Sequence, residues 1–447
     1  LATVGTQRLV LREERLDESF LSSLLGINLL AGGLLTTVTI AAAPLLSRLV
    51  KSPETVAVLR FLPLSLLFAA CSSVPRSLLV RRMDQRALAR IKIFGVLSYV
   101  VVTVLLATVG LSFWALVIGS LVSALVPAVL VWLAFGQWIT PRFVGHQIRH
   151  LLPLGTQVAV GDLAVWVSGL IDNFLVGRLL GMSSLGYYVF GVNLAWLPYT
   201  KLGAALKPVI QAKLAEHIRD GEGAWQRYVQ AISFTTATLW MPLCLLFVCA
   251  VEVVEVIYGT KWLPAVGPLR IQTVAVATSA ASVYCYEVYP LCDRPSLTTY
   301  ISAIRAALTA VLIMWLAEYG ISGAALGFLI ASTVNLIITQ WFARRLLMGN
   351  LISLLSAFRP ALFASVGCIS VGELMRTLLH SNLPAMILLL LTASVSAATY
   401  LAILAFGFPD FWRDLVQRFR QGLRGVAGGK LDLVWRAMRS VGFFGRR

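Results

Sequence analysis

The sequence predicts an all-α polytopic membrane protein, with about 12 transmembrane helices present here and 14 in a complete chain, in two pseudo-symmetric lobes. Three observations predict this. The chain is 58% hydrophobic and only 13% charged, about half the charged share of a soluble protein. Its apolar residues fall into runs long enough to cross a bilayer at 1.5 Å per helical residue. Finally, the chain resembles itself at an offset of about 210 residues.

The apolar runs lie at 20–48, 57–80, 91–110, 112–135, 151–176, 183–207, 230–257, 268–289, 297–317, 321–343, 359–380 and 383–407. Connections are short except around 136–150, 208–229 and 344–358. Basic residues crowd alternate connections. One set, which includes Arg81, Arg82, Arg86, Arg90, Lys92, Arg142, Lys207, Arg344 and the C-terminal tail, holds about 27 Lys and Arg. The other holds about four, Arg48, Lys51, Arg178 and Lys261. That asymmetry places both termini in the cytoplasm. It also accounts for the net charge of +17 without any nucleic-acid partner.

The repeat pairs Leu59-Arg60 with Leu269-Arg270, Gly110-Leu111-Ser112 with Gly320-Ile321-Ser322, and Ala115-Leu116 with Ala325-Leu326. The offset contains an even number of spans, so the halves have the same orientation, a known transporter plan. The second repeat has six spans and the first only four. The expected organisation is therefore 1–140, an N-terminal lobe lacking its first two helices; 141–346, a six-helix lobe; 347–407, two additional helices; and 408–447, a basic cytoplasmic tail. About 60 residues are expected to precede Leu1. In the tail, Trp412, Leu415, Phe419 and Leu423 recur at helical spacing, although a solvated topogenic tail is the plainer reading.

Polar groups inside the spans are the candidate functional residues, because each is costly in hydrocarbon unless it faces other helices or water. The stretch 151–188 carries Asp162, Asp172 and Asn173; the following spans add Asn193, Lys201, Glu287 and Arg305. Asp162 falls about 16 Å in from the cytoplasmic end of its span, Arg305 about 12 Å and Lys201 about 9 Å. Asn193 and Lys201 are eight residues apart and share a helix face. Arg305, Lys201 and Asn193 are candidates for an anionic headgroup, since guanidinium fits the fork of phosphate oxygens. Asp162, Asp172 and Glu287 are candidate cavity carboxylates, able to take a coupling H+ or Na+. The competing reading is that Lys201 snorkels and that Arg305 pairs with a carboxylate to fix packing. Arg76, one turn from its span end, reads as snorkelling, and Glu252 and Glu255 receive no role. Pro153, Pro198, Pro242 and Pro290 interrupt spans of the second lobe, where a bundle can re-satisfy the freed carbonyls.

Nothing in the sequence carries enzyme chemistry. His146, His150, His217 and His380 form no HExxH, and no P-loop or GxSxG is present. The short outer connections leave no place for a folded catalytic domain. Cys71, Cys244, Cys249, Cys285, Cys292 and Cys368 lie in or beside apolar spans without metal spacing and read as small core residues.

Several stretches resemble one family. They are IDNFLVGRLLGMSSLGYY at 171–188, LRFLPLSLLFAACSSVPRSLLVRRMDQRALARI at 59–91, GLSFWALVIGSLVSALV at 110–126, KWLPAVGPLRI at 261–271 and REERLDESFLSS at 12–23. Together they are similar to the polysaccharide transporter branch of the superfamily of multidrug extruders and lipid-linked oligosaccharide flippases. The resemblance implies two lobes around a central, often cationic cavity. It implies alternating-access movement of an undecaprenyl-diphosphate-linked oligosaccharide across the bacterial inner membrane for O-antigen, capsule or exopolysaccharide synthesis. Expected partners are the lipid-linked oligosaccharide, membrane lipids, and a polysaccharide polymerase with its chain-length machinery. The alternative is a cation-coupled multidrug or small-solute antiporter of the same superfamily, which Asp162, Trp166 and Trp196 keep open.

Overall fold

A computed structural model describes residues 17–50, 55–82, 84–142, 169–203, 223–292, 294, 296–379 and 384–426, with positions 6, 10, 210, 214 and 218. Those residues are helical throughout, apart from short turns and an extended segment after Phe135. By packing, the chain divides into two units, Leu1–Leu170 and Ile171–Arg447.

The first unit contains α1 (Glu18–Val50), α2 (Thr55–Phe61), α3 (Leu64–Arg81), α4 (Gln85–Thr108) and α5 (Ser112–Phe135). α3 lies between α1 and α5, and α5 packs on α4. Small residues allow this close approach, as is usual where lipid competes for apolar surface. A Cβ on Gly32 of α1 would come within 2.7 Å of Ala70 Cβ on α3. At the Leu62-Pro63 turn the Pro63 carbonyl accepts from Leu66 N at 2.9 Å and also from Thr36 Oγ1 at 3.0 Å. Asn28 donates to Thr6 at 2.9 Å and to Ser73 at 3.0 Å. Trp132 Nε1 donates to the Cys71 carbonyl at 3.1 Å. Asp84 caps α4 by accepting from Ala87 N. The outer face of α4, with Ile93, Val96, Leu97, Val100, Val104 and Leu105, is exposed and wholly apolar, as a lipid-facing helix must be.

The second unit contains α6 (169–180), α7 (Met182–Pro198) with a π-helical turn at Tyr199–Gly203, α8 (Ala224–Val248), α9 (Ala250–Tyr258) and α10 (Val266–Ala281). It continues with α11 (Cys285–Leu291), α12 (Ser296–Leu316), α13 (Gly320–Leu346), α14 (Leu351–Leu379), α15 (Ala385–Ala402) and α16 (Pro409–Val426). α10 is central and touches α7, α8 and α13. α12 covers α13, α14 packs on α8, and α15 packs on α14.

An offset of 210 residues carries α4 onto 295–318 and α5 onto 322–345, where α12 and α13 lie. It carries 55–81 onto 265–291, the α10–α11 pair. Neighbour relations repeat as well: α3 on α5 and α5 on α4 correspond to α10 on α13 and α13 on α12. The turns entering α5 and α13 use glycines at the matching positions, Gly110 at φ +90° and Gly320 at φ +73°.

Eight described stretches are long and apolar enough to cross a membrane, and one of them, Ser296–Leu346, is the α12–α13 hairpin. The sequence reading of 12 spans differs for identifiable reasons. α7 has 17 residues, and α10 and α11 have 16 and seven with a break at Ser282–Tyr284 between them. Residues 151–168 lie outside the described ones.

Backbone N–H groups satisfy the Ser279, Ala280, Ser282 and Tyr284 carbonyls around the break after α10, and a polar side chain takes the Ala281 carbonyl. Gln340 donates to the Ala281 carbonyl at 2.8 Å and accepts from Tyr228 Oη at 2.9 Å. Tyr228 also meets Cys285 Sγ at 2.9 Å, and Tyr289 donates to the Thr339 carbonyl. The six cysteines are free thiols, four of them buried.

Two glycines set helix crossings by backbone contact. A Cβ on Gly191 would lie 3.1 Å from Leu269 N, and one on Gly327 would lie 3.0 Å from Leu312 C. Gly327→Leu is therefore expected to wedge α12 from α13 and to cost about 1–3 kcal/mol, read as a lower unfolding temperature in detergent. Gly33→Ala, with nothing within 4 Å of its added methyl, should leave that temperature unchanged.

Candidate functional site: buried carboxylates and unpaired arginines

α6 brings Asp172 into the second unit, where it is 4% exposed. Its Oδ2 accepts from Tyr188 Oη on α7 at 3.2 Å. Tyr188 in turn accepts from Gln272 Nε2 on α10 at 3.1 Å. Three helices are thus joined by a donor chain that ends on a carboxylate. Asp172 Oδ1 and Gln272 Oε1 are buried and have no hydrogen-bond partner among the described residues. A buried carboxylate with an open oxygen is a place where a proton or small cation is favoured.

Arg305, half-buried on α12, acts electrostatically on Asp172 and on Tyr286 of α11. Tyr286 itself donates to Asn335 Oδ1 at 3.0 Å. Among the described residues, Arg305 has no carboxylate at salt-bridge distance. Its guanidinium therefore keeps its fork of donors for something else.

Asn193, Leu197 and Lys201 are exposed on one side of α7 and its π-helical turn, opposite the buried Tyr188, Gly191 and Ala195. Glu287, half-buried on α11, acts on Tyr199 of that turn and has a partner of its own. The structure thus brings Asp172 into the field of Arg305 and puts Asn193 and Lys201 on one face. Asp162 lies outside the described residues.

In the first unit, Arg76 is the one exposed side chain in the stretch from Ser72 to Leu79. Every neighbour in that stretch is buried, three of them serines. Arg76 makes no ion pair among the described residues. The sequence reading treated it as a snorkelling end residue, and the available signal was the stretch SSVPRS, a single cation set among small residues.

A second charged group joins α9, α10 and α14. Arg376 Nε contacts Glu252 Oε1 at 2.7 Å, Arg376 Nη1 contacts Glu373 Oε2 at 3.4 Å, and Arg270 Nη2 contacts Glu373 Oε1 at 3.0 Å. Glu252 is 2% exposed. Its unmodified carboxylate needs this arginine, and the sequence reading assigned it no role. The signal was two opposite charges three apart inside the apolar run 359–380.

A family profile described as polysaccharide biosynthesis protein matches residues 1–267. The chain belongs to this family. As a polysaccharide biosynthesis protein it has relatives at low identity over long alignments. The teichuronic acid biosynthesis protein TuaB of Bacillus subtilis (strain 168) is 22% identical over 93% of this chain and 87% of its own. An uncharacterized membrane protein in the cps region of Klebsiella pneumoniae is 20% identical over 79% of this chain and 73% of its own. The succinoglycan biosynthesis transport protein ExoT of Rhizobium meliloti (strain 1021) is 28% identical over 48% of this chain and 44% of its own.

Among solved structures, the lipid II flippase MurJ in an inward closed conformation matches with a TM-score of 0.74 at 15% identity, over 93% of this chain and 88% of that one. An inward-facing multidrug resistance MATE family transporter of the MOP superfamily matches with a TM-score of 0.63 at 14% identity, over 78% and 86%. These likenesses establish that the family member described here has the all-α polytopic fold of those transporters.

Proposed function

We propose that this protein is a flippase or exporter that moves undecaprenyl-diphosphate-linked oligosaccharide across the bacterial inner membrane by alternating access, feeding O-antigen, capsule or exopolysaccharide synthesis. The observation that carries the reading is Arg305, a guanidinium in a span of the second unit without a carboxylate partner among the described residues; within the first unit Arg76 is likewise without one. A diphosphate supplies the anion such cations lack, and guanidinium meets phosphate oxygens two at a time. Asn193 and Lys201 would add contacts from the exposed face of α7. Membership of a polysaccharide biosynthesis family, relatives named for teichuronic acid and succinoglycan pathways, and the fold of a lipid II flippase support the reading. The basic connections favour both termini in the cytoplasm, the side on which the proposed substrate would be taken up. The protein changes the location of its substrate and makes or breaks no bond in it. A polymerase with chain-length machinery would take the product.

Asp172 is the proposed coupling carboxylate, through its open Oδ1. Asp172→Asn should leave the protein folded but make transport in proteoliposomes indifferent to H+ or Na+ gradients. Retained gradient dependence would remove Asp172 from that role.

The main test is deletion of the gene in the producing strain. Loss of surface polysaccharide, restored by the gene, is expected; normal polysaccharide in a strain without a paralogue rejects the proposal. The second reading, a cation-coupled antiporter for drugs or small solutes, is supported by the MATE likeness and by Asp162, Trp166 and Trp196 in the sequence. Efflux of cationic dyes by the purified, reconstituted chain would support it.

A further inference from the structure

α16 is unlike the other helices. Its apolar residues sit at helical spacing among charges, in PDFWRDLVQRFRQGLRGV, whereas the spans are apolar all round. It follows a π-helical turn, Ile403–Gly407, that ends α15. Leu415, 6% exposed, joins a cluster with Ala237 of α8, Ala361 and Ala364 of α14, Tyr400 of α15 and Leu404 of the π-helical turn, with Phe411 and Trp412 packed alongside. One face is thereby fixed to the second unit. The other face carries Asp410 and Arg413, 97% and 79% exposed and paired at 3.6 Å. Immediately beside it the surface is bare hydrocarbon: Phe406 is 87% exposed, and Phe363, in ring contact with Phe408, is largely exposed. Two solvents therefore meet along this helix, an apolar one at Phe406 and an aqueous one at Arg413.

Residues 409–447 hold nine Lys and Arg against three Asp. A bound protein would have to cover both the charged face and the adjoining phenylalanines. A bilayer boundary does so without any added fit, and an anionic one also meets the charge.

We propose that α16 is an interfacial helix that binds anionic phospholipid headgroups and anchors the C-terminal end of the second unit to the leaflet surface. Each basic side chain held at an anionic surface favours the bound state about fivefold. The helix is positioned by Leu415 and Trp412, and the anionic headgroups meet Arg413 together with the net positive charge of the sequence 409–447.

The test uses the full chain in nanodiscs of phosphatidylcholine alone or mixed with phosphatidylglycerol, with amide exchange read on the 409–426 peptide. Exchange should slow by about tenfold or more in the anionic discs. The variant R413Q/R418Q/R420Q/R424Q should lose that difference, while exchange in α8 and α14 stays as in the parent and shows that the bundle is intact. Equal exchange of the parent peptide in both discs overturns the proposal. So does protection that appears only on adding a cell extract, which would assign the face to a protein.

Discussion

Arg305→Gln lowers transport of the lipid-linked saccharide by about 10- to 100-fold, the range expected for losing a hydrogen-bonded charge contact. Arg76→Gln does the same from the first unit. The prediction follows from two cations that sit in spans without carboxylates at pairing distance among the described residues. Arg305→Lys keeps the charge but loses the planar fork, so it recovers only part of the rate. The competing role for Arg305 is structural, as a counter-charge to Asp172. The two roles separate in the double variant Arg305→Gln with Asp172→Asn. A structural pair would regain its unfolding temperature and the gradient-independent transport of Asp172→Asn alone, whereas a phosphate contact stays lost and transport stays below that of Asp172→Asn. Flipping rates in proteoliposomes and surface polysaccharide in a complemented deletion strain both read the effect. Parent-like rates in well-folded Arg76 and Arg305 variants would remove both residues from the substrate path.

The largest stability effect is expected at Arg376. Glu252 is 2% exposed and its Oε1 lies 2.7 Å from Arg376 Nε. Arg376→Ala leaves that carboxylate buried without its cation, a change that costs about 3–5 kcal/mol. Glu252→Gln is milder, because Arg376 still has Glu373 at 3.4 Å. The double variant Glu252→Gln with Arg376→Gln should recover much of the loss, since neither charge is then stranded. Thermal unfolding in detergent, followed by tryptophan fluorescence, measures the order. If Arg376→Ala unfolds at the parent temperature, Glu252 has another counter-charge and the network is not what holds α14.

The sequence was most informative where the signal is periodic or additive. Apolar composition gave the class, and the offset pairing Gly110 with Gly320 is borne out by turns at both glycines and helices in matching places. It was less informative where a helix stops inside an apolar run. The stretch 268–289 reads as one span, yet α10 ends at Ala281 and α11 starts at Cys285, because Gln340 on a distant helix satisfies the freed carbonyl. Proline was an uneven guide to such stops: Pro198 ends α7 at its π-helical turn and Pro290 stands one residue before the end of α11, whereas Pro242 lies inside the continuous α8, and Pro153 lies outside the described residues. Side-chain roles were legible only when the partner was near in sequence. Glu252 meets an arginine 124 residues away, which no local pattern announces. Arg76 looked like an end-of-helix cation because distance from a boundary can be counted, whereas the burial of its neighbours cannot.

The Glu252 contact also constrains the order in which the protein is made. Glu252 enters the membrane with α9, and Arg376 follows 124 residues later on α14. Until then the carboxylate has no cation from that helix, while Glu373 and Arg376 reach the bilayer already facing each other on one turn. The last hairpin thus arrives nearly neutral and completes a charge deficit left by its predecessors. A chain that stops before residue 351 keeps a buried acid without the arginine that pairs with it.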